Sequence, residues 1–266
     1  MSIALDKLRA ILRRDLLTAI RHRTGFAITL VGLLTELAAF YFLSRAIGPG
    51  FRPGGVEYFP FLLVGTGVYT FFVMSTQGFL STVQEAQQTG TMEVLMTTST
   101  PPAELVVLSS ISAFAGNFVN LGIYLLAGAA LFRAPIHANA LSCLAVLVPS
   151  VAIAMALGIA AATVQVIFQK GSAVLWLLSS GVWFLSGAMF PVESLPRPLV
   201  LLAHAIPLTY AVEGMRMALL RGQSVLSMAP TLIALAGFSL ALLPAALLGL
   251  SFSLRRARQN GTLSFY

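Results

Sequence analysis

YFPFLLVGTGVYTFFVMSTQGFLSTV, Tyr58 to Val83, runs for 26 residues without one charged side chain. As a helix it would be about 39 Å long at 1.5 Å per residue, enough to cross a hydrocarbon layer about 30 Å thick. Only a helix can do so alone, because each of its backbone N–H and C=O groups finds a partner within the segment. The rest of the 266-residue chain has the same character. It is 58% hydrophobic and 9% charged, with a mean hydropathy of +0.89, whereas a soluble domain carries roughly a quarter charged residues. The fold class that follows is an all-α membrane protein.

Working outward from that stretch, the apolar runs predict six spans, at about 24–44, 58–83, 105–132, 138–168, 171–190 and 229–254. The sequence between Pro191 and Met228 is the largest interval that does not span. Pro191, Pro196, Pro198 and Pro207 divide it into pieces too short to cross, so 191–228 is expected to form broken or re-entrant helices dipping in from outside. Residues 1–23 carry Lys7, Arg9, Arg13, Arg14, Arg21 and Arg23 and are not a cleavable leader, since the apolar run after them is too long. Wound as a helix, Leu5, Leu8, Leu12, Leu16 and Ile20 share one face, with Lys7, Arg14 and Arg21 roughly opposite, a pattern suited to the membrane interface. With both termini inside, ten of the Lys and Arg residues fall inside and six outside, which sets an N-in, C-in orientation.

The charges also exclude functions. A net charge of +7 and a pI near 10.2 would suit nucleic acid if the cations formed one patch, but they sit at the ends of the apolar runs. Membrane lipid headgroups are the expected counter-charge, and no nucleic-acid partner is expected. Cys143 is the single cysteine, so no internal disulfide or cysteine metal framework forms. His22, His137 and His204 are dispersed along the chain, and neither H-E-x-x-H nor a G-x-x-x-x-G-K-[ST] phosphate loop occurs. No cofactor, metal or catalytic residue is therefore expected in this chain. Ser186–Gly187 followed by His204 raises the idea of an intramembrane serine protease, but small residues are ordinary packing material in membrane helices. Asn117 and Asn120 are expected to tie helices together, and Ala154, Gly158 and Ala162, spaced by four, to allow close helix contact.

Glu36, near the middle of the first span, is the clear intramembrane ionisable residue and hence a transport-path candidate or a helix-holding hydrogen bond. Tyr69, Phe71 and Phe72 in the second span, with Trp176, Trp183 and Phe184 in the fifth, are further path candidates, for which packing or interfacial anchoring is the competing role. The loop after the second span, QEAQQTGTMEVLMTTSTPP from Gln84 to Pro102, holds Glu85 and Glu93 and no basic residue, against the rule for cytoplasmic loops. Gly90 is a natural helix stop. Thr91 can cap a second short helix on which Met92, Leu95 and Met96 form a small apolar face. A Met-bearing, acidic-flanked knob fits a groove on another protein better than an anionic lipid surface.

GTMEVLMTTSTPPAEL (90–105) resembles the G-T-L-E-x-L-L…P…E-L segment of ABC-2 type transporter permeases. FPVESLPRPLVLLAHAIPLTYAVEGMRMAL (190–219) is similar to the P-x-S-x-L-P…N-P-L-T-Y-x-x-E-x-x-R segment of the same family. The chain departs from these patterns at Ser99 and Ile206, lacks a Lys after Glu104, and carries Gln84, Gln87 and Gln88 in place of a more charged approach. The resemblance covers nearly all of 1–266 as a single transmembrane domain. It implies the permease subunit of an ATP-driven exporter in the cell (inner or plasma) membrane, a homodimer served by two copies of a cytoplasmic ABC ATPase that holds the ATP and Mg. It also implies that 84–104 is a coupling loop in which Glu85, Gly90, Thr91, Met92, Glu93, Leu95 and Met96 form or position the ATPase contact, assisted by Arg14, Asp15 and Lys170. Pro207, Thr209, Tyr210, Glu213 and Arg216 would belong to an outer gate region, with Glu213 and Arg216 paired at i, i+3. The substrate class expected is an amphiphile such as a drug, lipid or glycan-lipid. The alternative is a stand-alone secondary transporter, which the near absence of intramembrane charge and of an inverted repeat disfavours.

Overall fold

The computed structural model describes residues 23–89, 102–168, 172, 176 and 178–260. The interfacial segment up to residue 22, most of the loop motif (90–101) and most of the first half of the expected fifth span lie outside the described residues. Among the described residues all regular structure is helical. The long helices are α1 (Arg23–Ile47), α2 (Tyr58–Gln88), α3 (Pro102–Phe132) and α4 (Ala140–Phe168), then the short α5 (Arg197–His204) and α6 (Pro207–Leu219), and finally α7 (Ala229–Asn260). A π-helical turn at Leu178–Val182 and a single helical turn at Trp183–Leu185 precede α5.

Among the described residues four helices are long and apolar enough to cross a membrane: Ile28–Ile47, Tyr58–Gln88, Ala140–Phe168 and Leu226–Ala257. The pair α5 and α6, bent by 85° at the break, would make a fifth. The bend has a local cause. Pro207 opens α6 at a position whose N–H no helix needs, while Ile206 before it is extended, at φ −95° and ψ 117°. The corner is closed by Thr209, whose Oγ1 donates to the Ala203 carbonyl at 2.7 Å.

α2 is the central helix. In its most apolar window 78% of residues are buried, against 6% in the corresponding windows of α1 and α7. Its burial also changes along its length. From Tyr58 to Val68 every residue is buried, so the helix is enclosed on all sides there. Beyond that the buried set narrows to Phe71, Phe72, Ser75, Thr76, Phe79, Leu80, Val83 and Gln87, a stripe recurring every three or four residues along one face. α3 and α4 flank α2 along its length, and α6 packs across α2, α4 and α7. α1 reaches the bundle through Leu33, Leu37, Phe40 and Tyr41, which pack with Phe59 and Leu63 of α2 and Tyr124 and Phe132 of α3. α7 lies along α4, burying Leu235, Leu250 and Leu254 while Ile233, Leu240 and Leu248 stay exposed.

Small residues set the closest approach. A side chain at Gly158 would run into the Phe79 ring of α2, and Ala154 and Ala162, one turn to either side, are fully buried. Pro149 is accommodated within α4, and beside it Ser150 Oγ donates to the Val146 carbonyl at 2.7 Å. The α3–α4 connection is fastened to the end of α6. His137 N–H donates to the Leu219 carbonyl at 2.9 Å, Asn139 N–H to that of Ala218 at 3.0 Å, and Ser142 Oγ to that of Gln223 at 2.6 Å.

Candidate functional site

Three sets of polar and aromatic side chains lie along α2. The first surrounds Arg216 at the enclosed end. Arg216 is on α6, and its guanidinium lies 3.3 Å from the centroid of the Phe61 ring. Nε and Nη2 donate to the Phe61 carbonyl at 3.2 and 3.0 Å, Nη1 to that of Gly187 at 2.8 Å, and Nη2 also to that of Ala188 at 2.7 Å. One side chain thereby joins α2, α6 and the turn that follows the π-helical segment. Two glycines make this possible. Gly187 has φ +74°, a left-handed conformation that turns its carbonyl and the next toward the guanidinium at little steric cost. At Gly65 a Cβ would collide with both the Ala188 carbonyl and Arg216 Nη2, so only glycine lets α2 approach. Tyr58 Oη adds a bond to the Met189 carbonyl at 3.3 Å.

The expected i, i+3 pair of Glu213 with Arg216 is corrected by this geometry. The guanidinium is committed to three backbone carbonyls, and the Glu213 and Glu193 carboxylates act on it through space. The reason is steric as well as electrostatic. Cradled between the Phe61 ring and the 187–188 turn, the planar fork reaches carbonyls that a folded-back carboxylate would have to displace. Glu213, Glu193, Arg216, Arg221 and Thr209 all line one cleft of about 520 Å³. Arg221 crosses to the turn before α2, donating through Nη2 to the Gly54 carbonyl at 2.8 Å. Of the other residues expected in the gate region, Pro207 starts α6, and the Tyr210 ring lies 6.0 Å from His204 and 5.8 Å from Phe238.

The second set is the expected path. Tyr69 and Phe72 line a small apolar pocket of about 190 Å³ between α2 and the Ala205–Leu208 corner, and Trp183 lies 6.3 Å from Tyr69. Phe71 turns instead into the α2–α3 core, edge-on to Phe114 at 5.6 Å. Trp176 and Phe184 are exposed on the outside of the bundle. Glu36 is half-buried on α1, beside Leu37, which packs in one cluster with Tyr124 of α3. Tyr124 in turn shares a 2.9 Å hydrogen bond with Thr66 of α2. Ser186 is buried and donates to the Trp183 carbonyl at 3.2 Å, while His204 stands against Tyr210. The described residues thus hold no Ser–His pair of the protease kind.

The third set ends α2. Glu85 is exposed on the last turn, which Thr89 closes by donating from N–H and Oγ1 to the Glu85 carbonyl at 2.9 and 2.7 Å. Gly90, Thr91, Met92, Glu93, Leu95 and Met96 lie outside the described residues. Immediately before them is an amide ladder: Gln84 Nε2 donates to Gln165 Oε1 at 3.4 Å, and Gln165 Nε2 donates to Gln87 Oε1 at 3.0 Å. Gln87 and Gln165 are each 1% exposed. This clamp between the ends of α2 and α4 was not foreseen from the sequence, which showed the glutamines only as missing charges. The available signal was Gln84 and Gln87 one turn apart on an apolar helix, with Gln165 near the end of the fourth span. Among the described residues no cluster of three or more His, Cys, Asp or Glu could hold a metal.

No curated protein matches the chain. The sequence pattern of the ABC-2 type transporter family matches residues 6–220, about four-fifths of the chain, and takes in α1 to α6 with the loop after α2. The match and the apolar helices agree, and the chain belongs to the ABC-2 type transporter family, as a transmembrane permease and not an ATPase.

Proposed function

We propose that this permease is the membrane half of an ATP-driven exporter in the plasma (inner) membrane, working as a homodimer with two copies of a separate ABC ATPase. Each copy has six spans with both termini inside, an interfacial N-terminal helix, and α5–α6 as a re-entrant pair on the outer side. The ATPase, which carries ATP and Mg, docks on the loop after α2 through Glu85, Glu93 and the apolar face of Met92, Leu95 and Met96. ABC-2 permeases normally pair with such a subunit.

The observation that carries the mechanical part is the continuity of α2. It runs unbroken over 31 residues, about 46 Å, from the Arg216 junction to the last turn before the loop. Force applied at the loop reaches the junction without crossing a hinge. The Gln84–Gln165–Gln87 ladder makes α4 move with it, and Arg216 passes the movement to α6 and the 186–190 turn. ATP-driven approach of the two loops would rock paired bundles and open the outer clefts. Linkage requires the reverse as well, so substrate must change nucleotide affinity. The aromatic pair Tyr69 and Trp183, the apolar pocket beside them, and spans nearly free of charge suit an amphiphile better than a small ion.

The test is co-purification with an ABC ATPase subunit from the same source, and the ATPase activity of the pair, for the native chain and Glu93→Arg. A native complex with coupled ATPase activity, lost in the variant, is the expected result. A native chain that binds no ATPase removes the exporter reading and leaves Glu36, as the intramembrane carboxylate of a self-contained transporter, the next residue to replace.

A further inference from the structure

At the end of the bundle opposite the 84–104 loop lies a cleft of about 840 Å³ between the last turn of α1, the start of α2 and the end of α3. Arg45, Arg52 and Arg133 line it with a single carboxylate, Glu57, so its lining is net cationic. All four of these side chains are exposed. Its floor is aromatic. The Tyr41 ring lies 5.5 Å from Phe59 and 5.0 Å from Phe132, and Phe59 and Phe132 are 5.4 Å apart, which closes a triangle of rings. Phe51 stands edge-on to Tyr58 at 4.9 Å.

The cations are positioned and not merely present. Arg45 donates to the Tyr41 hydroxyl through both Nε and Nη2, at 3.2 and 2.9 Å, with its guanidinium 5.4 Å from the Tyr41 ring centroid, and the ring triangle fixes that tyrosine. Arg133 is the one non-glycine residue with positive φ among the described residues, at +54°. It terminates α3 where glycine would sit without strain. A strained residue that also brings a charge to a cleft points to use.

We propose that this cleft binds a phosphate-bearing, anionic headgroup of a membrane amphiphile. Guanidinium groups match phosphate oxygens in pairs. A water-soluble anion would need the cations alone, whereas this cleft also offers apolar surface where a chain would leave the headgroup. Leu131 in its lining is 62% exposed, and Phe42 and Ile47 on the same end of α1 are 67% and 47% exposed, so a chain can follow α1 and α3 away from the cations. Nothing in this requires an ATPase, and the site stands or falls apart from the exporter mechanism.

The experiment uses the full chain in phosphatidylcholine nanodiscs containing a minor fraction of phosphatidic acid, with the retained lipids counted by native mass spectrometry. The native chain is expected to retain phosphatidic acid over phosphatidylcholine. Arg45→Gln and Arg133→Gln are each expected to lower that preference about fivefold, the equivalent of one interfacial cation, and Arg256→Gln at the far end of the chain to leave it unchanged. Arg133→Lys keeps the charge and should keep most of the preference. Arg133→Gly should lose it while raising the thermal midpoint, a combination that a purely structural role for Arg133 does not give and that guards against misfolding as the cause. A preference untouched by Arg45→Gln and Arg133→Gln, or lowered equally by Arg256→Gln, would overturn the site and leave annular lipid only. Displacement of the bound lipid by glycerol 3-phosphate at equal concentration would overturn the amphiphile in favour of a soluble phosphate ester.

Discussion

Arg216 is a half-buried cation held by carbonyls, and its removal takes the side-chain donor away from the Gly187 and Ala188 carbonyls and from that of Phe61, which keeps its place in the α2 ladder. Arg216→Met is therefore expected to destabilise the fold by about 1–3 kcal/mol, read as a fall in the thermal midpoint in detergent. Arg216→Lys, with three donors on a point charge and no planar fork, should fall between the two. A Met variant as stable as the native chain would show that the junction is not structural. Gly65→Ala forces a Cβ against Arg216 Nη2 and the Ala188 carbonyl, and overpacking of this kind costs about 1–3 kcal/mol. Combined with Arg216→Ala the cost should be less than additive, because one of the two colliding groups is gone. The sequence put Glu213 one helical turn before Arg216, within the non-spanning segment 191–228. It could not show the carbonyl cradle, because Phe61 is 155 residues away and the turn at Gly187 is visible only as a dipeptide. Local spacing favoured an ion pair, and tertiary packing set three backbone carbonyls around the guanidinium.

At the scale of elements, the amide ladder makes a distinct prediction. Gln87→Leu leaves the Gln165 amide buried with one partner fewer, at a cost of about 1–3 kcal/mol. The double change Gln87→Leu with Gln165→Leu removes both partners of the 3.0 Å bond and should cost less than the sum of the single changes, measured by a double-mutant cycle on thermal or denaturant unfolding. If the ladder also transmits movement from the loop, the double variant should keep ATPase binding while losing substrate-dependent stimulation. Additive stability effects would mean the amides do not interact. α2 itself was legible. The uncharged run from Tyr58 to Val83 predicted α2 to within a few residues at its far end, because hydrophobic length and backbone self-satisfaction leave few choices. What the run could not convey is that α2 is enclosed from Tyr58 to Val68 and one-sided beyond, since enclosure depends on which helices pack around it. Phe71 and Phe72 show the limit. Adjacent in sequence and alike in chemistry, one turns into α3 and the other lines a pocket.

Across the described molecule, α1 and α7 each leave all but 6% of their apolar window unburied, and their exposed faces must meet either lipid or a second copy. If the dimer forms around the first span, Val31→Cys in a Cys143→Ala background should crosslink to its partner copy in membranes under mild oxidation, whereas Leu240→Cys on α7 should not. Val31 and Leu240 are 63% and 75% exposed, so access alone does not separate them. Crosslinking through Leu240 and not Val31 would place α7 at the interface instead.

By itself the sequence determined that this is an all-helical membrane protein with a permease's pattern of motifs. Those properties follow from run length, charge depletion and short motifs, all of them local in the chain. Tertiary structure alone decided that Arg216 holds carbonyls and not Glu213, that three glutamines clamp α2 to α4, and that Arg45, Arg52 and Arg133 from three separate elements meet at one aromatic cleft. Each of these joins residues distant in the chain, and their meeting depends on how tightly the helices approach, which glycine, proline and ring packing set at a few points.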